Sequence, residues 1–148
     1  MIINDEGKNL IKKWETLQTH AYLCPAGIPT IGYGHTRDVH MGQTITEHQA
    51  DVILDSDLEQ IEEEVEKLLD GTEYTQNEFS ALVSFAFNLG VHALAASGLL
   101  KHYRQGHKFY AAQEFDKWVH AKTKDGFVVL PGLVKRRRDE KALFLKPA

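Results

Sequence analysis

The feature that most restricts the fold of this chain is a run of 22 residues, 79–100, that contains no charged side chain. A helix of this length can span a membrane. The run is interrupted by polar residues and glycines, however, and it follows Thr75-Gln76-Asn77-Glu78. This is a capping-box pattern, in which the threonine hydroxyl and the glutamate carboxylate each accept a backbone N–H bond at the start of a helix. We therefore predict a buried helix, broken once near Gly90, and no integral membrane segment.

A second long helix is predicted at 51–70, where apolar residues recur at a 4-3-4-3 spacing and glutamates fill much of the remaining surface. This pattern is typical of an amphipathic helix. Thr46-Glu47-His48-Gln49 resembles the start of such a helix, and Gly71 is suited to its end. Twenty helical residues extend about 30 Å, which is long enough to connect two lobes of a small protein.

The remaining segments alternate between helical and hairpin patterns. Apolar residues at helical spacing predict further helices at 5–19, 108–121 and 133–145, the last of which can start at Pro131. Prolines, glycines and residues that favour strands predict a short hairpin at 21–36. Asp125-Gly126 predicts a turn, such as that of a second small hairpin. The fold class predicted from these patterns is α+β, mostly helical with a small sheet near the amino terminus.

Charge is distributed unevenly along the chain. Residues 1–74 contain 5 Lys or Arg and 15 Asp or Glu, whereas residues 75–148 contain 12 and 6. The basic half could pair with the acidic half or face an anionic polymer. The run of basic residues at 135–138 is typical of a nucleic-acid patch. Because Asp139 and Glu140 follow directly, and because a helix would spread these charges around its circumference, we expect no nucleic-acid partner.

Three residues near the first predicted hairpin could carry chemistry. Glu15 follows Trp14, and an aromatic neighbour can keep a carboxylic acid protonated, so that it can donate a proton to a leaving oxygen. Cys24, which is the only cysteine and therefore excludes an intramolecular disulfide, and Thr30 lie within the hairpin. Taken singly, Glu15 is typical of an exposed helix surface, Cys24 of a buried apolar position and Thr30 of a strand. As a group facing one cleft, they would supply an acid, a polarizable group and a hydroxyl that can hold water.

Glu15, Cys24 and Thr30 match a pattern of phage-type lysozymes: a glutamate, eight residues, an aspartate or cysteine, five residues and a threonine. The segments 31–36, 76–90 and 131–137 resemble further motifs of this family in the same order, so that the resemblance extends over nearly the whole chain. It implies one lysozyme-like domain at 1–148. This domain would comprise a small lobe at about 15–50, a connecting helix at about 51–70, and a larger helical lobe at about 75–148 that includes the N-terminal helix.

The resemblance also implies a function. Phage-type lysozymes are endolysins, muramidases that hydrolyse the β-1,4 bond between N-acetylmuramic acid and N-acetylglucosamine in peptidoglycan and thereby lyse the host cell. We therefore expect a monomeric glycoside hydrolase that acts on peptidoglycan and needs no cofactor and no metal. Since acidic residues and no apolar segment follow Met1, we expect synthesis in the host cytoplasm without a signal peptide. The enzyme would reach the wall in the periplasm after a separate protein has made the inner membrane permeable.

By the same resemblance, Glu15 is the general acid, and Cys24 and Thr30 hold or activate a water on the opposite face of the sugar. The alternative for Cys24 is direct attack on the anomeric carbon, which would retain the configuration of that carbon. The residues expected to bind the sugar chain or to lie beside the acid are Thr36, Phe87 and Asn88. The residues expected to support the site are His35, paired with Asp57, and either Arg136 or Arg137, reaching toward Glu15.

Two other classes of protein compete with this interpretation. Eight histidines could indicate a zinc amidase. However, the chain has no His-Glu-x-x-His motif, and the pairs His35/His40 and His102/His107 are five residues apart, which places neither pair on one helical face. The second alternative is a binding or scaffolding module that keeps a muramidase-like fold without turnover. The cysteine at position 24, where aspartate is commoner, favours that alternative, whereas the presence of both Glu15 and Thr30 argues against it.

Overall fold

The computed structural model describes all residues of the chain, 1–148. It contains seven α-helices, a short 3₁₀ turn at Phe115–Lys117 and two antiparallel sheets of two strands each. The helices are α1 (Asp5–Glu15), α2 (Glu47–Leu68), α3 (Gln76–Leu89), α4 (Val91–Ala96), α5 (Gly98–Arg104), α6 (Lys108–Glu114) and α7 (Pro131–Leu145). The strands are β1 (Gln18–Leu23), β2 (Pro29–Gly32), β3 (His120–Thr123) and β4 (Gly126–Val129). The predicted α+β class, mostly helical with small sheets, is confirmed.

Helix α3 forms the centre of the core. It packs against α1, α2, α4 and α7, and every residue from 78 to 86 is buried. Its predicted capping box is present: Thr75 Oγ1 accepts a hydrogen bond from the Glu78 N–H at 3.1 Å, and Glu78 Oε1 accepts one from the Thr75 N–H at 2.9 Å. The charge-free run is therefore core sequence. None of the seven helices combines the length and the apolar character that crossing a bilayer requires.

The charge-free run breaks twice, not once as predicted. The first break is at Gly90, whose φ of 97° favours glycine, and the second is at Ser97. Ser97 has an extended backbone, and its hydroxyl accepts the Leu100 N–H at 3.1 Å, which starts α5. The second change of direction allows Leu100 and Tyr103 to be buried in the same core. An N-cap serine inside an apolar run is the signal that the prediction missed.

Two predicted helices end earlier than the sequence pattern suggests. Helix α1 stops at Glu15 instead of residue 19, because Thr16 turns the chain with a φ of 58° and Leu17 packs on the core from that turn. Helix α6 stops at Glu114 instead of residue 121, and the 3₁₀ turn that follows leads into β3. Trp118 packs against the core from outside any helix. Apolar residues at helical spacing therefore did not predict helix length here, and one of them, Phe109, is 67% exposed.

Helix α2 begins as predicted. Thr46 Oγ1 accepts the Gln49 N–H at 3.1 Å, and Gln49 Oε1 accepts the Thr46 N–H at 2.8 Å. The apolar stripe of α2 is buried at Leu54, Leu58 and Val65. The helix packs against β2 as well as against α3 and α4, so that it joins the first hairpin to the helical part of the molecule. The division into two lobes at the boundaries given above stays a prediction.

The first hairpin is short and ends in a tight turn. Strand β1 pairs with β2 in antiparallel register, with Tyr22 opposite Thr30, and the register is irregular between Gln18 and Tyr22. At the turn, the Cys24 N–H donates to the Ile28 carbonyl at 3.0 Å. A second hairpin, β3 and β4, turns at the predicted Asp125-Gly126. The first hairpin fixes where Cys24 and the residues after β2 stand relative to α1.

Candidate active site

A cleft of about 730 Å³ collects most of the residues that the sequence analysis selected. It is bordered by the end of α1, the turn of the first hairpin, the segment after β2, one face of α2 and the end of α3. The selected residues that line it are Glu15, Cys24, His35, Thr36, Asp57, Phe87 and Asn88. The selected residues that do not line it are Thr30, Arg136 and Arg137, all three of which are buried. The cleft is open to solvent.

Glu15 is the last residue of α1 and stands at the wall of the cleft. Its Oε1 accepts a hydrogen bond from Arg136 Nη1 at 2.9 Å, and its side chain is 21% exposed. The backbone of Gly34 approaches from the hairpin side, where a Cβ atom would lie only 2.9 Å from Glu15 Oε2. A side chain at position 34 would crowd the carboxylate, and the φ of 78° also favours glycine. The acid is therefore held by one arginine and has one face open to the cleft.

Trp14 does not have the place that the sequence analysis expected. Its indole Nε1 donates to Asp139 Oδ2 at 2.9 Å, and the ring is not part of the cleft. The aromatic neighbour was inferred from adjacency in the sequence. Since consecutive residues of a helix point about 100° apart, adjacency does not place two side chains in one environment. Arg136 and the backbone of Gly34 approach the Glu15 carboxylate.

The run of basic residues in α7 is divided between the interior and the surface. Arg136 and Arg137 are buried, whereas Lys135 and Arg138 are exposed. Arg136 is the arginine that reaches Glu15, which answers the question the sequence left open. Arg137 donates from Nη2 to Asn88 Oδ1 at the cleft wall, and its guanidinium lies over the ring of Phe85, 5.3 Å from the ring centroid. Each buried arginine therefore donates a hydrogen bond to one residue that lines the cleft.

Glu140 supplies the counter-charge for these arginines. Its Oε1 lies 3.0 Å from Arg137 Nε, and its Oε2 lies 3.6 Å from Arg136 Nε. Ser84 Oγ on α3 donates to the same Oε2 at 2.6 Å. Burial raises the pKa of the Glu140 carboxyl, whereas Arg137, Ser84 and Arg136 favour its ionised form. Burial also lowers the pKa of Arg137, and Glu140 opposes this change.

Cys24 and Thr30 both belong to the first hairpin, but only Cys24 lines the cleft. Thr30 is 3% exposed, and its hydroxyl donates to the Ile28 carbonyl at 2.9 Å. Thr30 is not among the residues that line the cleft, and its role beside Cys24 stays a prediction. Hydrogen bonding to the backbone of Ile28 lowers the pKa of the Cys24 thiol, and the backbone of Ala26 and the Thr30 hydroxyl act in the same direction, against desolvation. The hairpin thus favours the thiolate, the form that can act as a base.

His35 joins the segment after β2 to helix α2. Its Nδ1 lies 2.8 Å from Asp57 Oδ2, which is the contact expected from the sequence. Asp55, two residues earlier on α2, pairs with Lys8. Backbone hydrogen bonds between Ile31 and His35 close a tight turn that contains Gly34. This turn and the hydrogen bond between His35 and Asp57 fix the wall of the cleft that faces Glu15.

The sequence analysis missed two functional features of the cleft. Arg37 lines it, is exposed and forms no ion pair within the protein. It directly follows the motif segment 31–36, and this position was the signal that could have identified it. Gly34 lies inside that motif, but its close approach to Glu15 depends on the tertiary structure. No group of three or more His, Cys, Asp or Glu side chains in the protein is arranged to hold a metal ion.

Comparisons with known proteins agree along nearly the whole chain. The family model of phage lysozyme matches residues 12–140. The endolysin of Acyrthosiphon pisum secondary endosymbiont phage 1 is 42% identical, over 97% of this chain and 98% of that protein. The endolysin of Bacillus phage B103 is 45% identical over 98% of this chain, which spans only about half (54%) of that longer protein. The solved muramidase domain of SpmX from Asticaccaulis excentricus superimposes with a TM-score of 0.93, at 42% identity, over 98% of both chains.

These matches confirm the resemblance that the sequence motifs indicated. The family model includes the helix end that carries Glu15, the first hairpin and all but the last five residues of α7. The protein therefore belongs to the phage lysozyme family, and it is a glycoside hydrolase.

Proposed function

We propose that this protein is an endolysin that hydrolyses the β-1,4 bond between N-acetylmuramic acid and N-acetylglucosamine in peptidoglycan. The observation that carries the proposal is the geometry of Glu15, a carboxylic acid held by a buried arginine at the wall of an open cleft that also contains Cys24. Glycoside hydrolysis requires an acid for the leaving oxygen and a second group for the attacking water. Glu15 and Cys24 are suited to these two roles.

The proposed reaction inverts the configuration of the anomeric carbon. The proton of Glu15 passes to the glycosidic oxygen as the bond between that oxygen and the anomeric carbon breaks. A water molecule attacks the same carbon from the opposite face and gives its proton to the Cys24 thiolate. Thr30 would help to hold this water together with Cys24. The sugars would pack against Phe87 and hydrogen-bond to Thr36 and Asn88.

The remaining expectations are retained as parts of this proposal. The enzyme would act as a monomer on the wall, after synthesis in the cytoplasm and permeabilisation of the inner membrane, and the cleft would lie between its two lobes. Peptidoglycan is the proposed partner, and nucleic acid is not. The burial of Arg136 and Arg137 supports the second point, since it removes two of the four cations of the basic run from the surface.

The identity of the new chain end tests this function. Purified peptidoglycan is digested with the enzyme, the new ends are reduced with borohydride, and the sugar alcohols are identified. We expect the reduced form of N-acetylmuramic acid to increase with digestion time. Reduced N-acetylglucosamine would indicate a glucosaminidase, and new amino groups without reducing ends would indicate an amidase. Wall binding without any new end would support the non-catalytic module instead.

The role of Cys24 leads to a prediction for two variants. Cys24→Ser should lower the rate of reducing-end release about a hundredfold, because a hydroxyl does not ionise near neutral pH and cannot take the proton of the water. Cys24→Asp should retain most of the wild-type rate, because a carboxylate can serve as the base. The rates are measured on soluble peptidoglycan fragments.

The configuration of the first product separates the two roles left open for Cys24. Proton magnetic resonance during the first turnovers should show the α-anomer for water activation and the β-anomer for direct attack. A wild-type rate in Cys24→Ser would contradict both roles. Ala26→Ser, in the exposed turn next to the cysteine, is the matched control and should leave the rate unchanged.

Arg37 is suited to bind a carboxylate of the substrate. The stem peptides of peptidoglycan carry carboxylates, and Arg37 is an exposed guanidinium in the cleft without an internal counter-ion. Arg37→Gln should raise KM for peptide-bearing glycan about fivefold with little change in kcat, since an exposed charge pair contributes up to about 1 kcal/mol. Steady-state kinetics on soluble fragments measure both parameters.

The control substrate for this prediction is the same glycan after removal of its peptides. Arg37→Gln and wild type should have similar KM values for it, and high salt should reduce the difference on the peptide-bearing substrate. Arg138→Gln removes an equally exposed cation outside the cleft and should leave KM unchanged on both substrates. An equal rise of KM on both substrates would contradict recognition of a carboxylate.

A further inference from the structure

The second hairpin, β3 and β4, leaves one of its two faces uncovered. The two strands make their main contacts with each other. Opposite residues of an antiparallel pair point to the same side of the sheet, so the register places four side chains on one face: His120, Lys122, Phe127 and Val129. All four are exposed, whereas Ala121 and Val128 on the other face are half-buried. We call the exposed side the outer face of the hairpin.

The outer face carries an aromatic ring that is held in place but not covered. Phe127 is 73% exposed, and its ring stacks on the ring of His120 with centroids 5.0 Å apart and planes 12° apart. Residues 127–129 are all apolar, a pattern typical of a strand that is covered on both faces. Because the stacking already restricts the ring, binding a ligand on it costs less conformational entropy. The outer face is therefore a preorganised apolar platform.

The hairpin projects from the end of the helical core that borders the cleft. Helices α3 and α7 run antiparallel, as their contacts show in order along both chains: Asn77 with Lys146, Ser84 with Glu140 and Asn88 with Arg137. The start of α7 therefore lies beyond the carboxyl end of α3, which supplies Phe87 and Asn88 to the cleft. Strand β4 enters α7 through a single residue, Leu130. A polymer that leaves the cleft at this end can reach the hairpin.

The charges of the hairpin favour an anionic ligand. Lys122 on the outer face and Lys124 at the turn are exposed and form no ion pair within the protein, and the same holds for Lys135 near the start of α7. The hairpin contains one acid, Asp125. Peptidoglycan combines both features that this surface complements. Its sugar rings present C–H bonds that pack on the electron-rich face of an aromatic ring, and its stem peptides carry carboxylates.

We propose that the outer face of the second hairpin binds the peptidoglycan chain outside the cleft, with a sugar ring packed on Phe127 and a stem-peptide carboxylate paired with Lys122. This inference rests on the proposed function and adds a second contact on the same chain. Once the cleft holds part of a chain, binding of a further part at the hairpin is intramolecular. Long chains therefore bind more tightly than fragments that fill only the cleft.

The test measures dissociation constants by calorimetry in a Glu15→Gln background, so that the glycan is not degraded during the measurement. Phe127→Ala should raise the Kd for long soluble glycan chains about fivefold and leave the Kd for short fragments unchanged. Phe127→Tyr, which keeps the ring, should bind like the background protein. Lys122→Gln should raise the Kd for long peptide-bearing chains about threefold and have no effect after the peptides are removed.

Phe109→Ala and Lys101→Gln are the matched controls, because each makes the same kind of change at an exposed residue outside the hairpin, and both should leave every Kd unchanged. An unchanged Kd in Phe127→Ala, or an equal rise for long chains and short fragments, would overturn the inference. Loss of binding to vesicles of anionic phospholipid, with glycan binding intact, would assign the outer face to a membrane instead. If Phe127→Ala does not fold, Lys122→Gln decides by the comparison with peptide-free chains. Failure of the proposed function is seen separately, as full activity of Glu15→Gln.

Discussion

Glu15→Gln is expected to lower the rate of reducing-end release from peptidoglycan about a thousandfold while the protein stays folded. Glutamine keeps the shape of the side chain, and its amide oxygen can still accept the Arg136 hydrogen bond. It cannot deliver a proton to the glycosidic oxygen. Arg136 keeps Glu140 as an ionic partner, so no buried cation is left without a counter-charge. The loss should therefore appear in the rate and not in the stability.

The measurement compares reducing ends and melting temperature for wild type and variant. Glu6→Gln is the matched control, because it makes the same chemical change on the same helix, at an exposed residue that pairs with Lys146 far from the cleft. Its rate should equal that of wild type. A rate for Glu15→Gln within a few-fold of wild type would remove Glu15 from the reaction and with it the proposed mechanism.

Phe85→Ala is expected to lower the free energy of unfolding by about 3–5 kcal/mol. Phe85 lies on α3 with no exposed surface and meets Phe115 and Trp118 edge to face, at centroid distances of 5.8 and 5.4 Å. Its removal leaves a cavity at the junction of α3, the 3₁₀ turn and α7. It also takes away the ring over which the Arg137 guanidinium lies. Both losses affect the folded state only.

Urea unfolding, with the midpoint and the slope reported separately, measures this difference. Phe109→Ala deletes the same group from a side chain that is 67% exposed, and it should change the free energy of unfolding by about 0.5 kcal/mol or less. An equal decrease in the free energy of unfolding in the two variants would show that the buried Phe85 stabilises the fold no more than the exposed Phe109 does. The second outcome that would contradict the prediction is a loss below about 1 kcal/mol for Phe85→Ala, which would indicate that neighbouring side chains fill the space.

The starts of the long helices could be predicted because they depend on neighbours in the sequence. In the capping boxes at Thr46 and Thr75, each partner is only three residues away, so the pattern of residue types already contains the interaction. The turn at Asp125-Gly126 was predictable for the same reason. Membership in the phage lysozyme family was also predictable, since several motifs occur in the family order.

The ends of helices and the second break of the charge-free run were not predictable in this way. Leu17 and Trp118 reach the core from turns, although their spacing continues a helical pattern. Apolar spacing predicted core contact for Leu17 and Trp118 but not the exposure of Phe109, and a turn can bring a side chain to the core as well as a helix can. Which of the two occurs depends on the elements packed nearby.

The sequence by itself determined the residue types of the site, their order and the helix starts that hold them. Only the tertiary structure decided that Arg136 and not Arg137 reaches Glu15, that the Thr30 hydroxyl donates to the Ile28 carbonyl, and that Glu140 lies beside both arginines. Glu15 and Arg136 are 121 residues apart, and Arg136 and Arg137 have the same chemistry. Adjacent residues of a helix point about 100° apart, and the packing of α7 against α1 and α3 selects which guanidinium faces the acid.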